Sequence, residues 1–133
     1  MSAGRHFIVA ATVIRDADGC ILLVRKRGTS RFMLPGGKIE ADESPVECAV
    51  REAHEELGVA LDAAQLVALG DWTAPAANEP EHTVHGHVFA HPWVPGITVQ
   101  GEIDELIWFD PAHRRDDLAP LFEQRVLPLL MGR

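Results

Sequence analysis

GGKIEADESPVECAVREAHEELGV, residues 36–59, is the stretch that decides the fold of this chain. It opens on a glycine pair preceded by Pro35, which reads as a sharp loop. Ser44 is a helix N-cap residue, and Pro45 fits the first helical position, where its missing N–H costs nothing. Glu47 stands three residues after Ser44 and completes a capping box. Gly58 suits the left-handed position that ends a helix. The spacing therefore predicts a helix over 45–57. At roughly 100° per residue, Val46, Ala49, Val50, Ala53 and Leu57 form one apolar stripe, the core-facing side. Glu52, Glu55 and Glu56 fall together on another face.

Those three glutamates conflict with the helix that carries them. Neighbours three and four apart lie roughly 5–6 Å apart at Cβ, so like charges there repel. They also occupy the last two turns, where the helix dipole disfavours anions. Arg51 is the nearest cation, and no lysine shares their face. Taken alone, three glutamates fit an ordinary solvated acidic surface. A hard divalent cation would also remove the conflict, because Mg²⁺ takes oxygen ligands from a few carboxylates together with phosphate oxygens.

The flanking residues tip that balance. Gly37, five residues, Glu43, seven residues, then Arg51-Glu52-Ala53-His54-Glu55-Glu56-Leu57-Gly58-Val59 resembles the Nudix box, the signature of the Nudix hydrolases of MutT type. All seven fixed positions match, and Val59 fits the final aliphatic one. Ala53 is smaller than the usual aliphatic residue, a departure that concerns packing. The resemblance implies an α/β fold, a Nudix-type α/β/α sandwich with a mixed central sheet, the box forming loop–helix–loop, and one domain over 1–133. It implies a pyrophosphohydrolase that breaks a nucleoside diphosphate linked to another moiety, a nucleoside triphosphate or small nucleotide derivative, by attack of water at phosphorus. The implied cofactor is Mg²⁺, or Mn²⁺ in its place. The implied ligands are Glu52, Glu55, Glu56 and the backbone carbonyl of Gly36. Glu43 would support the metal site, and Arg51 would orient the acidic cluster through an ion pair. The general base is open among Glu52, Glu102 and Glu105. Glu102 is favoured of the two loop acids because it stands further from the strand that follows. A non-catalytic nucleotide or sugar-nucleotide binding module is the alternative on the same fold, but such a protein usually loses box glutamates. An isopentenyl diphosphate isomerase would need a catalytic cysteine and extra length, for which Cys20 and Cys48 are poorly placed.

Outside the box the chain reads as strands. Phe7–Ile14 and Cys20–Val24 flank the turn Asp16–Gly19 and predict a hairpin. Leu66–Thr73 and Thr83–Ala90 predict two more strands around a loop at 74–82. Short strands follow at 97–99 and 106–109, and a closing helix at 118–130 is kinked or ended by Pro128. Arg25, Arg27 and Lys38 are candidates for substrate phosphates, and Asn78 for a base edge. His85 and His87 share one strand face and are candidates for substrate contact. With His82 and His91 they fit no standard zinc spacing. Phe32, Trp72, Trp93 and Trp108 read mainly as core, any one of them being a candidate base-stacking platform.

The 133 residues carry a formal net charge of −8, which argues against a duplex nucleic-acid binder and against a basic membrane-surface helix. No apolar run approaches the ~20 residues of a membrane span, and residues 1–7 lack the apolar core of a signal peptide. Two cysteines without ligand spacing read as reduced thiols. The expectation is a cytoplasmic protein, monomer or homodimer, whose partner is a small nucleotide.

Overall fold

The run of β-branched and apolar residues after His6 forms β1 (His6–Ile14), at the centre of the sheet. The computed structural model describes residues 4–132. After β1 come β2 (Ile21–Lys26), β3 (Gly36–Lys38) and the helix α1 (Pro45–Leu57). A short 3₁₀ turn leads into β4 (Val67–Pro75), β5 (Thr83–His91) and β6 (Ile103–Phe109). β3, β1, β5 and β4 lie side by side in that order; β1 runs parallel to β5 and antiparallel to β3, so the sheet is mixed. β2 and β6 form a separate antiparallel ladder.

α1 begins and ends where its sequence signals stand. The Ser44 side chain accepts from the Glu47 N–H, and the Glu47 carboxylate accepts from the Ser44 N–H. Gly58 takes φ 70° and closes the helix on the His54 carbonyl. The helix lays Cys48 and Ala49 on Ala10 and Phe89, on one face of the sheet. On the other face Leu121 approaches Gly86 so closely that a Cβ there would meet it at 2.5 Å. A helix on each side of a mixed sheet is the expected sandwich. β2 lies between the two cores, with Leu22 and Val24 facing α1 and Ile21 and Leu23 facing the C-terminal helix.

Three expected elements differ. β1 and β2 are joined by the Asp16–Gly19 turn, yet they touch as strands only at Arg15 and Ile21. Both edges of β1 are taken by β3 and β5, and β2 finds its partner in β6. Residues 97–99 form no strand. The Thr98 and Gln100 N–H groups instead donate to Leu57 and Glu56 carbonyls at the end of α1, each at 3.0 Å, which satisfies acceptors the helix leaves open. The closing helix starts as a π-helical stretch, Leu121–Val126, and becomes α2 only at Leu127–Leu130. Proline in a regular α-helix clashes with the carbonyl four residues back, and widening the turn ahead of Pro128 relieves that contact.

Candidate active site

α1 and β3 build the site together. β3 is an edge strand, with Gly36 opposite Ala11 and Gly37 opposite Ala10. The ladder bonds Thr12 N–H to Pro35 O and Ile39 N–H to Ile8 O. Alternation in an antiparallel pair therefore turns both polar groups of Gly36 away from β1. The Gly36 N–H donates to Glu56 Oε1 at 3.0 Å. A Cβ at Gly37 would lie 2.6 Å from Glu52 Cδ, so glycine there is what lets the Glu52 carboxylate lie against the strand.

The three glutamates do not share one environment. Arg51 Nη1 donates to Glu52 Oε2 at 2.7 Å and to both Glu55 oxygens at 3.1 Å. Its Nε and Nη2 form a two-pronged pair with Glu43 at 2.7 and 2.9 Å, and Nη2 also reaches the Lys38 carbonyl. That fork holds the Glu43 carboxyl down at a pKa of about 2 and raises the guanidinium's own pKa. Glu56 is different: it is 5% exposed and has no ion pair among the described residues. Burial raises its pKa, the charge of Glu52 raises it further, and Lys26 and the Gly36 N–H oppose both. A buried carboxyl beside a second carboxylate is a place where a cation would lower the energy. Oxygen donors from Glu52, Glu55 and Glu56 suit a hard divalent ion. No three acidic or imidazole groups among the described residues converge into a ready-made metal shell, because Arg51 stands between Glu52 and Glu55.

One cleft of about 1040 Å³ opens over these residues. It contains Glu52, Glu55, Glu56, Arg51 and Gly36, and of the other expected residues Lys38, Asn78 and Glu102. Glu43 supports it from behind through Arg51. Arg25 and Arg27 are a correction, since neither lines the cleft. Arg25 pairs with Asp104 and Glu105 at 2.8 and 3.3 Å, which also commits Glu105. Arg27 Nη2 donates to the Gly101 carbonyl. His85 and His87 are a second correction. They stack edge to face on the sheet side opposite Val84, which is the β5 residue that reaches the cleft. His85 is bonded to Thr73 and Asp71 instead. None of the three tryptophans, nor Phe32, lines the cleft.

Phe7 and Lys26 are among the lining residues that the sequence reading did not assign to the site. Phe7, on β1, carries the Lys38 ammonium 3.9 Å over its ring. Lys26 stands at the end of β2 and lines the cleft where its neighbours Arg25 and Arg27 do not. The signal for Lys26 was present: strand alternation puts it on the side of Leu22 and Val24, the side that faces α1.

Comparison with known proteins agrees with this architecture. The chain belongs to the Nudix hydrolase family, whose NUDIX domain model matches residues 4–130. Phosphatase NudJ of Escherichia coli K12 is 36% identical over 72 residues, 53% of this chain and 46% of that protein. The chain thus spans less than half the length of the curated relatives it matches. The MutT protein of Methanosarcina mazei superposes with a TM-score of 0.80 at 23% identity, covering 99% of this chain and 97% of that one. A bifunctional NMN adenylyltransferase/ADP ribose pyrophosphatase from Francisella tularensis, solved with AMP and a manganese ion, gives a TM-score of 0.70 at 19% identity. That match covers 99% of this chain and 43% of that one.

Proposed function

We propose that this protein is a divalent-metal-dependent pyrophosphohydrolase, acting on a nucleoside diphosphate linked to another moiety. Nucleoside triphosphates and small nucleotide derivatives are the favoured substrates. The observation that carries this reading is Glu56: a buried carboxyl hydrogen-bonded to a glycine N–H, pressed against Glu52, open to the cleft and unneutralised by Arg51.

Glu52, Glu55, Glu56 and the Gly36 carbonyl would hold Mg²⁺ or Mn²⁺. When bound, the ion neutralises phosphate oxygens and makes a water nucleophilic at neutral pH. The chain's own groups do the rest. Arg51, fixed by Glu43, keeps Glu52 and Glu55 aimed at the cleft. Glu102 lines the cleft, has no ion pair among the described residues, and is held by its backbone through the Arg27 N–H at 2.7 Å. It is the favoured acceptor of the water's proton, with Glu52 the remaining candidate. Lys38 lines the cleft wall with its ammonium over the Phe7 ring, and Asn78 is available to a polar edge of the substrate. No helix among the described residues is long and apolar enough to cross a membrane. Two free cysteines suit a reducing compartment, and we assign the protein to the cytoplasm.

The test is a Mg²⁺ turnover screen over nucleoside triphosphates, ADP-ribose, nucleotide sugars and dinucleoside polyphosphates. Turnover of at least one is expected, and Glu56→Gln should lower it by about a hundredfold or more with an unchanged circular dichroism spectrum. Full activity in that variant would refute the metal-site assignment.

A further inference from the structure

We propose that Lys26 is the substrate-diphosphate contact of this cleft, its ammonium taking a non-bridging phosphate oxygen across from Glu52, Glu55 and Glu56. This rests on the pyrophosphohydrolase reading above.

Lys26, Lys38 and Arg51 are the lysine and arginine side chains that line the cleft. The Arg51 guanidinium is spent on Glu43, Glu52 and Glu55. The Lys38 ammonium sits over the Phe7 ring. Lys26 has neither an ion-pair partner nor an aromatic face among the described residues, although it lines the same cleft. Lys26 is half-buried and lines the cleft with Glu52, Glu55 and Glu56 without forming an ion pair to any of them. A phosphate oxygen in the cleft would supply the negative partner that this lysine lacks.

Backbone geometry fixes where Lys26 points. The β2–β6 register slips between Arg25 and Lys26, so that Lys26 pairs with Ile103 while Arg25 pairs with Glu105. The Lys26 carbonyl accepts from the Thr29 N–H at 3.1 Å and the Thr29 hydroxyl at 2.7 Å, closing a turn in which Gly28 takes φ 79°. Arg25 is directed to the far side, onto Asp104, Glu105 and the Thr29 carbonyl. Of the basic run Arg25-Lys26-Arg27, then, the lysine is the member delivered to the carboxylate helix. A compact ammonium with three rotatable donors suits phosphate oxygens from a fixed strand end.

The experiment is steady-state hydrolysis at saturating Mg²⁺ of a nucleotide that the screen identifies, using Lys26→Met and Lys26→Arg, with Arg114→Met as a remote charge control. Lys26→Met should raise KM about tenfold, the scale of one charge-assisted hydrogen bond, while kcat stays within about threefold. Lys26→Arg should recover most of that loss, and Arg114→Met should leave KM unchanged. A KM within twofold of wild type in Lys26→Met overturns the contact. So does a change confined to the Mg²⁺ requirement, the signature of a lysine that only balances Glu56. Calorimetry with magnesium pyrophosphate separates this inference from the reading it rests on. About tenfold weaker binding by Lys26→Met supports the contact even if wild type hydrolyses none of the nucleotides, and equal affinity refutes it.

Discussion

Arg51 joins four carboxylates, and its strongest hold is on Glu43, which does not itself line the cleft. That pair keeps the Glu43 carboxyl ionised down to a pKa of about 2. The folded value lies below the unfolded one of roughly 4.3, so the native state binds fewer protons in that interval. The contribution is therefore fully present above the unfolded pKa and is lost as pH falls toward the folded one. Urea unfolding of wild type and Glu43→Gln between pH 6 and pH 2.5 should show the wild type losing more stability than the variant as pH falls. Parallel curves would mean that the fork adds nothing to the fold. Gly37 shapes the same carboxylate cluster from the strand side. An alanine Cβ would lie 2.6 Å from Glu52 Cδ, and the flexible carboxylate, not the strand, would give way. Gly37→Ala should therefore keep its melting temperature while the Mg²⁺ concentration for half-maximal activity rises about tenfold.

Among the elements, α1 was legible in full because everything that bounds it is local. Ser44, Pro45, Glu47 and Gly58 act within a few residues of themselves, and the helix runs over the expected 45–57. Ser44→Ala removes one half of the capping box and should cost about 1 kcal/mol in urea unfolding; no measurable loss would show that tertiary packing alone holds the helix start. Pairing was less legible, because it depends on residues far apart in sequence. Nothing near β2 says that its partner begins at Ile103 and not at β1 next door. The expected strand at 97–99 is absent for a related reason. Its apolar residues suggest a strand, but its N–H groups are claimed by the end of α1. That arrangement couples loop and helix: Gly58 has a positive φ, and a Cβ there would meet the Gln100 side chain at 2.3 Å. Gly58→Ala should thus destabilise the helix end by about 1 kcal/mol or more and displace the loop that carries Glu102. A fall in kcat larger than the fall in Mg²⁺ affinity would be the sign of that displacement.

The whole molecule is acidic, with a net charge of −8, and the cleft concentrates that charge. Glu40, Glu52, Glu55, Glu56, Glu79 and Glu102 line it against Lys26, Lys38 and Arg51. A polyphosphate approaching such a surface without a cation meets net repulsion. The sequence carried this tension in the glutamate spacing of α1, but it did not reveal how the load is divided, since that depends on where β3 comes to lie. Arg51 neutralises Glu52 and Glu55, and the edge of β3 leaves Glu56 buried with one N–H. A ligand that binds the native state and not the unfolded chain stabilises it, by about 2.7 kcal/mol at a hundred times its dissociation constant. Mg²⁺ should therefore raise the melting temperature of this protein by several degrees, whereas NaCl at equal ionic strength should not. Glu56→Gln should lose that increment while melting at or above the metal-free wild type, because it removes a buried carboxyl whose ionisation burial and the Glu52 charge both oppose. An equal Mg²⁺ increment in wild type and variant would move the cation away from Glu56, and with it the centre of the chemistry assigned to this cleft.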